Sequence, residues 1–210
     1  MEARVKRRGW LLAAGALGAG GVLRPAHAGA QLEEPLADSV RSALNAAVSE
    51  RAPPKWRHDR IEDRLAYLNW LGEMGERLRR RKPERQTRIE FLETLWYECK
   101  RAGLEPALVL GLIQVESGFR KYAISSVGAR GYMQVMPFWA RLIGNGQVAK
   151  LFHLQTNLRF GCVILRHYLD LESGNLFMAL GRYNGSRGRP EYPNAVLAAW
   201  RTHWSYEPLQ

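Results

Sequence analysis

The sequence predicts an all-α protein. Val, Ile and Thr never fall into the alternating pattern of a half-buried strand. Apolar residues recur instead at spacings of three and four, the period of a helix face. Proline and glycine punctuate the chain at helix-length intervals.

The elements follow in order. Residues 29–37 read as a flexible lead-in. Asp38 or Ser39 caps a short helix ending near Arg51, and Ala52-Pro53-Pro54 breaks it. A longer amphipathic helix is expected over about 59–82, with Ile61, Leu65, Leu68, Leu71, Met74 and Leu78 facing inward. Its basic end, Arg79-Arg80-Arg81-Lys82, reads first as a solvated terminus and second as a patch that touches an anionic wall. Pro83 stops that helix. The next spans about 84–102 and stops at Gly103. Pro106 suits the first turn of the helix that follows. On it Leu108, Leu112 and Glu116 stand at i, i+4 and i+8, one face. Residues 118–136 are loop-like, and Pro137 opens a helix that ends at Gly144. A further helix covers 157–171, with Leu158, Leu165, Tyr168 and Leu169 inward. Residues 175–182 form a short one. Residues 183–190 read as a Gly/Arg loop, and the last helix covers about 193–204.

The chain has 210 residues, enough for one domain with a real core. It is basic, with 31 Lys and Arg against 20 Asp and Glu. Residues 1–28 read as a cleaved export signal. They have a basic start (Arg4, Lys6, Arg7, Arg8), a short apolar stretch from Trp10 to Leu23, and Ala26-His27-Ala28 before the cut. Arg7-Arg8-Gly9-Trp10-Leu11 also resembles a twin-arginine signal, so both that route and the general secretory route stay open. Removing this segment lowers the net charge from +11 to +7. An exported basic protein suits a polyanionic cell-wall partner in the periplasm better than nucleic acid. No other stretch is long and apolar enough to span a bilayer, so no stable membrane span is expected after processing.

Cys99 and Cys162 are the only cysteines. In an exported chain they are compatible with one disulfide and equally with two buried thiols. No Cys/His grouping has the spacing of a metal site, so neither metal nor cofactor is expected.

Glu116 is the residue on which chemistry is expected to turn. It ends an apolar run, and no other acid follows until Asp170. Burial and the negative end of its own helix both favour the protonated form. A neutral carboxyl group can protonate a leaving oxygen. Gly131-Tyr132-Met133-Gln134-Val135-Met136-Pro137 places Gln134 in a stretch expected to be extended before the proline. An amide there can grip an acetamido group. Tyr183-Asn184-Gly185-Ser186 adds a phenol and an amide, and Tyr192 a further phenol.

Several motifs in order resemble the soluble lytic transglycosylases. These are Glu116-Ser117-Gly118, Gly128-Ala129-Arg130-Gly131-Tyr132-Met133-Gln134-Val135-Met136-Pro137, Asn157 with Gly161, Arg182-Tyr183-Asn184-Gly185, and Tyr192. The likeness covers about residues 87–204. Tyr132, Arg182 and the short Gly185-Ser186 loop depart from the family's usual residues.

The resemblance implies a lysozyme-like (goose-type/SLT) helical domain over 87–210, behind an N-terminal helical extension over 29–86. It implies cleavage of peptidoglycan glycan strands by a monomer, with a cell-envelope complex as a further setting for the extension. It implies Glu116 as acid and then base, and Ser117 orienting it or touching glycan. Met133 and Gln134 would line a sugar subsite, Tyr183 and Asn184 the opposite wall, and Tyr192 would bond Glu116. A single acid suffices if the sugar's own 2-acetamido oxygen serves as nucleophile, where most glycosidases use two carboxylates. A lysozyme-type hydrolase and a non-catalytic wall-binding or secretion-scaffold protein are the alternatives.

Overall fold

The computed structural model describes residues 31–49 and 60–207. The expected export signal and the Ala52-Pro53-Pro54 break lie outside the described residues. The architecture is all-α: α1 Asp38–Ser49, α2 Ile61–Leu78, α3 Arg85–Arg101, α4 Pro106–Ser117, α5 Pro137–Leu142, α6 Leu154–Leu171, α7 Leu176–Asn184 and α8 Glu191–Ala199. A 3-10 turn, Val148–Phe152, precedes α6, and a π turn, Trp200–Trp204, extends α8. The only β pairing among the described residues is two isolated bridges in the 118–136 loop, at Ile124–Arg130 and Arg130–Val135.

Local chemistry sets the helix ends. Glu84 caps α3 by accepting the backbone N–H groups of Gln86 and Thr87. Asn175 caps α7 through the N–H of Met178 at 3.1 Å. Gly103, Gly118 and Gly185 take the left-handed conformation where α3, α4 and α7 end. Helix α4 starts on Pro106 and is buried almost all round. It is a central helix rather than one with a single apolar stripe. Helices α3, α8 and the π turn pack on it, and α6 packs on α1, α3 and α7.

Gly111 lets α4 and the chain after α8 come together. A Cβ there would lie 2.8 Å from the Trp200 backbone nitrogen. Beneath the surface Glu98 of α3 is fully buried. The Arg159 side chain of α6 holds it, with Nη2 2.8 Å from its carboxylate, and Arg101 adds a longer contact at 3.6 Å. This pair ties α3 to α6 in the interior.

Three expectations need correcting, and of the two states left open for Cys99 and Cys162 the structure holds one. The inward stripe on α2 holds only for its second half, where Leu71, Met74 and Leu78 are buried with Trp70. Ile61, Leu65 and Leu68 are 74, 55 and 48% exposed, because no described element covers the first turns. The lead-in is not free. Gln31 is buried, and Glu34 pairs with Arg182 of α7 at 2.9 Å. Tyr183 and Asn184 belong to the last turn of α7, not to a loop. Cys99 and Cys162 are free thiols, both buried and next to each other, with burial the main cause that pushes Cys99 well above its ordinary value. Among the described residues no helix is long and apolar enough to cross a membrane.

Candidate active site

Glu116 lies in the last turn of α4, 4% exposed. Tyr192, in the first turn of α8, donates its hydroxyl to Oε1 at 2.5 Å. Oε2 is buried without a hydrogen-bond partner. Burial raises the Glu116 carboxyl from 4.5 to about 8, while the Tyr192 bond pulls the other way. No neighbouring carboxylate contributes to that rise. The acids later in the chain are engaged or exposed. Asp170 pairs with Arg166, Glu172 binds Arg182 and Arg187, and Glu191 is exposed in the first turn of α8. At neutral pH this geometry holds one protonated carboxyl group with one oxygen uncommitted.

The loop after α4 is fastened at several points. Ser117 Oγ donates to the Tyr132 carbonyl at 2.7 Å. Asn157 of α6 closes three bonds. Its Nδ2 donates to the carbonyls of Leu151 (2.7 Å) and Arg130 (2.9 Å), and its Oδ1 accepts the Met133 N–H at 2.8 Å. The Tyr183 hydroxyl donates to the Met133 carbonyl at 2.8 Å. Gly161 makes room for Met133, since a Cβ there would stand 2.7 Å from the Met133 Cβ. Gly131, with φ +75°, makes room for Asn157 and for the Leu151 carbonyl.

Gln134 is not extended. Its φ is +49°, and the residue before Pro137, Met136, is the extended one. The Gln134 amide donates to the carbonyls of Gly131 (2.9 Å) and Ala123 (3.2 Å). Both N–H groups are therefore spent within the loop, leaving Oε1 as the group that could meet a ligand. Met133 is fully buried, and Ser117 braces backbone instead of touching Glu116. Asn184 donates to Ser186 Oγ at 3.1 Å, and its Oδ1 is buried without a partner. Glu116 Oε2 and Asn184 Oδ1 thus both lack a hydrogen bond among the described residues, where buried polar atoms usually have one.

The structure brings Glu116 and Tyr192 into contact. It joins Met133 to Tyr183, and it ties Ser117 to the loop that carries Met133 and Gln134. Sequence reasoning gave no role to Asn157 or Gly161, although both were noted. An asparagine one helical turn before a glycine, after a Gly-rich loop, was the available signal. Lys82, expected in a solvated helix end, is instead buried. Its Nζ donates to the Tyr132 hydroxyl at 2.7 Å and lies 4.5 Å from the centre of that ring.

Residues 96–194 match the family model described as Transglycosylase SLT domain. The chain is 32% identical over 116 residues to a transglycosylase of Enterobacteria phage PRD1, covering 52% of this chain and 42% of that protein. It is 38% identical over 113 residues to the membrane-bound lytic murein transglycosylase C of Histophilus somni strain 2336, covering 47% of this chain and 31% of that one. The chain thus spans less than half the length of these curated relatives. Among solved structures it is similar to an inactive mutant of the lytic transglycosylase Slt from Pseudomonas aeruginosa. That match has 25% identity and a TM-score of 0.43, and it covers 65% of this chain and 26% of that one.

Proposed function

We propose that this chain, whose residues 96–194 match the model of the Transglycosylase SLT domain, cleaves peptidoglycan without hydrolysis, with Glu116 as its single acid and base. The observation that carries the reading is the Glu116 carboxyl: buried, pushed up to about 8, bonded to Tyr192 on one oxygen and unpartnered on the other. It would enter the reaction protonated and give its proton to the oxygen between N-acetylmuramic acid and N-acetylglucosamine. The acetamido oxygen of the muramic acid would stabilise the developing cation at its own anomeric carbon. The Glu116 carboxylate left behind would take the proton of that sugar's C6 hydroxyl, whose oxygen closes a 1,6-anhydro ring. The Tyr192 hydroxyl supports this second state, since its bond favours the ionised carboxyl.

Acid–base catalysis of this kind contributes on the order of 10²–10⁴-fold. Holding the acetamido group in line adds to it. Gln134 Oε1 and Asn184 Oδ1 are the acceptors assigned to the sugar, and Met133, Ser117 and Tyr183 are assigned to holding the loop. We place the reaction in the periplasm, reached by export on residues 1–28.

Product analysis tests this. Mass spectrometry of digested sacculi should show anhydromuramic ends, and Glu116→Gln should release none while melting as a folded protein. Reducing muramic acid as the main product would make the chain a hydrolase. Undiminished release by the variant would remove Glu116 from the chemistry.

A further inference from the structure

Beyond Glu116 the chain runs into an unusual concentration of positive charge. Arg81, Arg120 and Lys121 line an open cleft of about 540 Å3, with Phe119, Tyr122 and Ile124. No carboxylate lines it. None of the three cations has an ion-pair partner among the described residues. The ion pairs of α2 go to Arg60, Arg77 and Arg79, short of the cleft.

These cations are held in place. The Arg81 guanidinium stands 5.6 Å over the Phe119 ring, and Lys121 Nζ stands 5.4 Å from the Tyr122 ring. Arg120 donates Nε to the Ser117 carbonyl at 2.9 Å. Its two terminal nitrogens make no hydrogen bond among the described residues. Lys82 adds a fourth charge, close enough to Lys121 for the two to repel. Like charges held together without an anion are unfavourable, and a bound anion relieves them. Tyr122 and Ile124, 70 and 64% exposed, add apolar surface to the same cleft. The fitting ligand carries carboxylates and short apolar groups. A guanidinium matches a carboxylate in a two-pronged contact. The nearness of the cleft to Glu116 along the chain favours a peptide carried by the substrate over a membrane surface.

The cleft begins at Phe119, three residues past Glu116, and Arg120 is bonded to the residue next to Glu116. We propose that this cleft binds the carboxylate-bearing peptide attached to the muramic acid whose bond is cleaved at Glu116. The proposal rests on the reading of the chain as a peptidoglycan-cleaving enzyme.

The test compares the wild type with the double variant Arg81→Gln/Lys121→Gln. Arg120 stays, because it also braces Ser117. The substrates are soluble glycan strands that keep their peptides, and the same strands stripped by an amidase. On peptide-bearing strands the variant should raise KM roughly fivefold to tenfold, the size that two partly exposed charge contacts give, with kcat unchanged. On stripped strands the two proteins should match. The charge-keeping pair Arg81→Lys/Lys121→Arg should restore KM. Equal KM on peptide-bearing strands overturns the proposal, and so does an equal loss on both substrates. If the wild type cleaves neither, the functional reading fails and a binding measurement decides separately. The free stem peptide should then bind by calorimetry, and amidating its carboxylates should abolish binding. Binding that survives amidation overturns the proposal. So does a double variant that loses only phosphatidylglycerol vesicles and keeps the peptide.

Discussion

Replacing Glu116 by glutamine separates its protonation from its chemistry. In an unfolded chain this carboxyl titrates near 4.5, and in the fold near 8. Between those values the folded chain holds a proton that the unfolded chain has lost. The contribution to stability is therefore complete below about pH 4.5 and drains away as pH rises through about 8. A rise from 4.5 to about 8, at 1.36 kcal/mol per unit, amounts to about 5 kcal/mol. Glutamine is neutral throughout, and its Oε1 still accepts the Tyr192 bond. Urea unfolding of both proteins at a series of pH values from 5 to 9 reads the difference directly. The variant should gain on the wild type by about 1.4 kcal/mol per pH unit, levelling above pH 8. Two stability curves that run parallel across this range would show that Glu116 is already ionised in the fold, and would refute the argument.

Three further outcomes follow from the same geometry. Tyr192→Phe removes a hydrogen bond to the ionised carboxyl, worth about 1.5–3 kcal/mol. The alkaline limb of the pH–rate profile should move to higher pH by about 1–2 units, and an unmoved limb would count against the pairing. Asn157→Ala leaves the carbonyls of Leu151 and Arg130 and the N–H of Met133 without partners. It should cost about 3–5 kcal/mol, seen in calorimetry as a melting point lower by roughly 10 °C. Arg159→Met strands the buried Glu98 charge with only the longer Arg101 contact. It should cost about 3–5 kcal/mol in denaturant unfolding, most of it regained when Glu98→Gln is added.

The helices were legible where the chain carries its own punctuation. Pro106, Pro137, Gly103 and Gly118 mark ends that depend on backbone chemistry alone. The first half of α2 was misread because a periodic face says only that a helix is amphipathic. Whether Ile61 and Leu65 are covered depends on which element packs there. Gln134 was misread because the rule for residues before proline reaches Met136 and no further, while the turn at Gly131 needs a positive φ at Gln134. Of the site, the apolar setting of Glu116 was legible from its neighbours. Its contact with Tyr192, 76 positions away, is a product of how α4 meets α8 and has no local signature. The pairing was expected only through the family resemblance.

Lys82 has a consequence of another kind. Burial, and second the charge of Lys121, bring its amine down to about 8. At pH 7 roughly a tenth of such an amine is uncharged, against about three in ten thousand for a lysine at 10.5. Only the uncharged form is a nucleophile. Four residues beyond the end of α2 the chain thus carries an amine that gives up its proton more readily than an ordinary lysine. It follows Arg81 in the chain, so the positive charge beside the cleft weakens as pH rises through about 8.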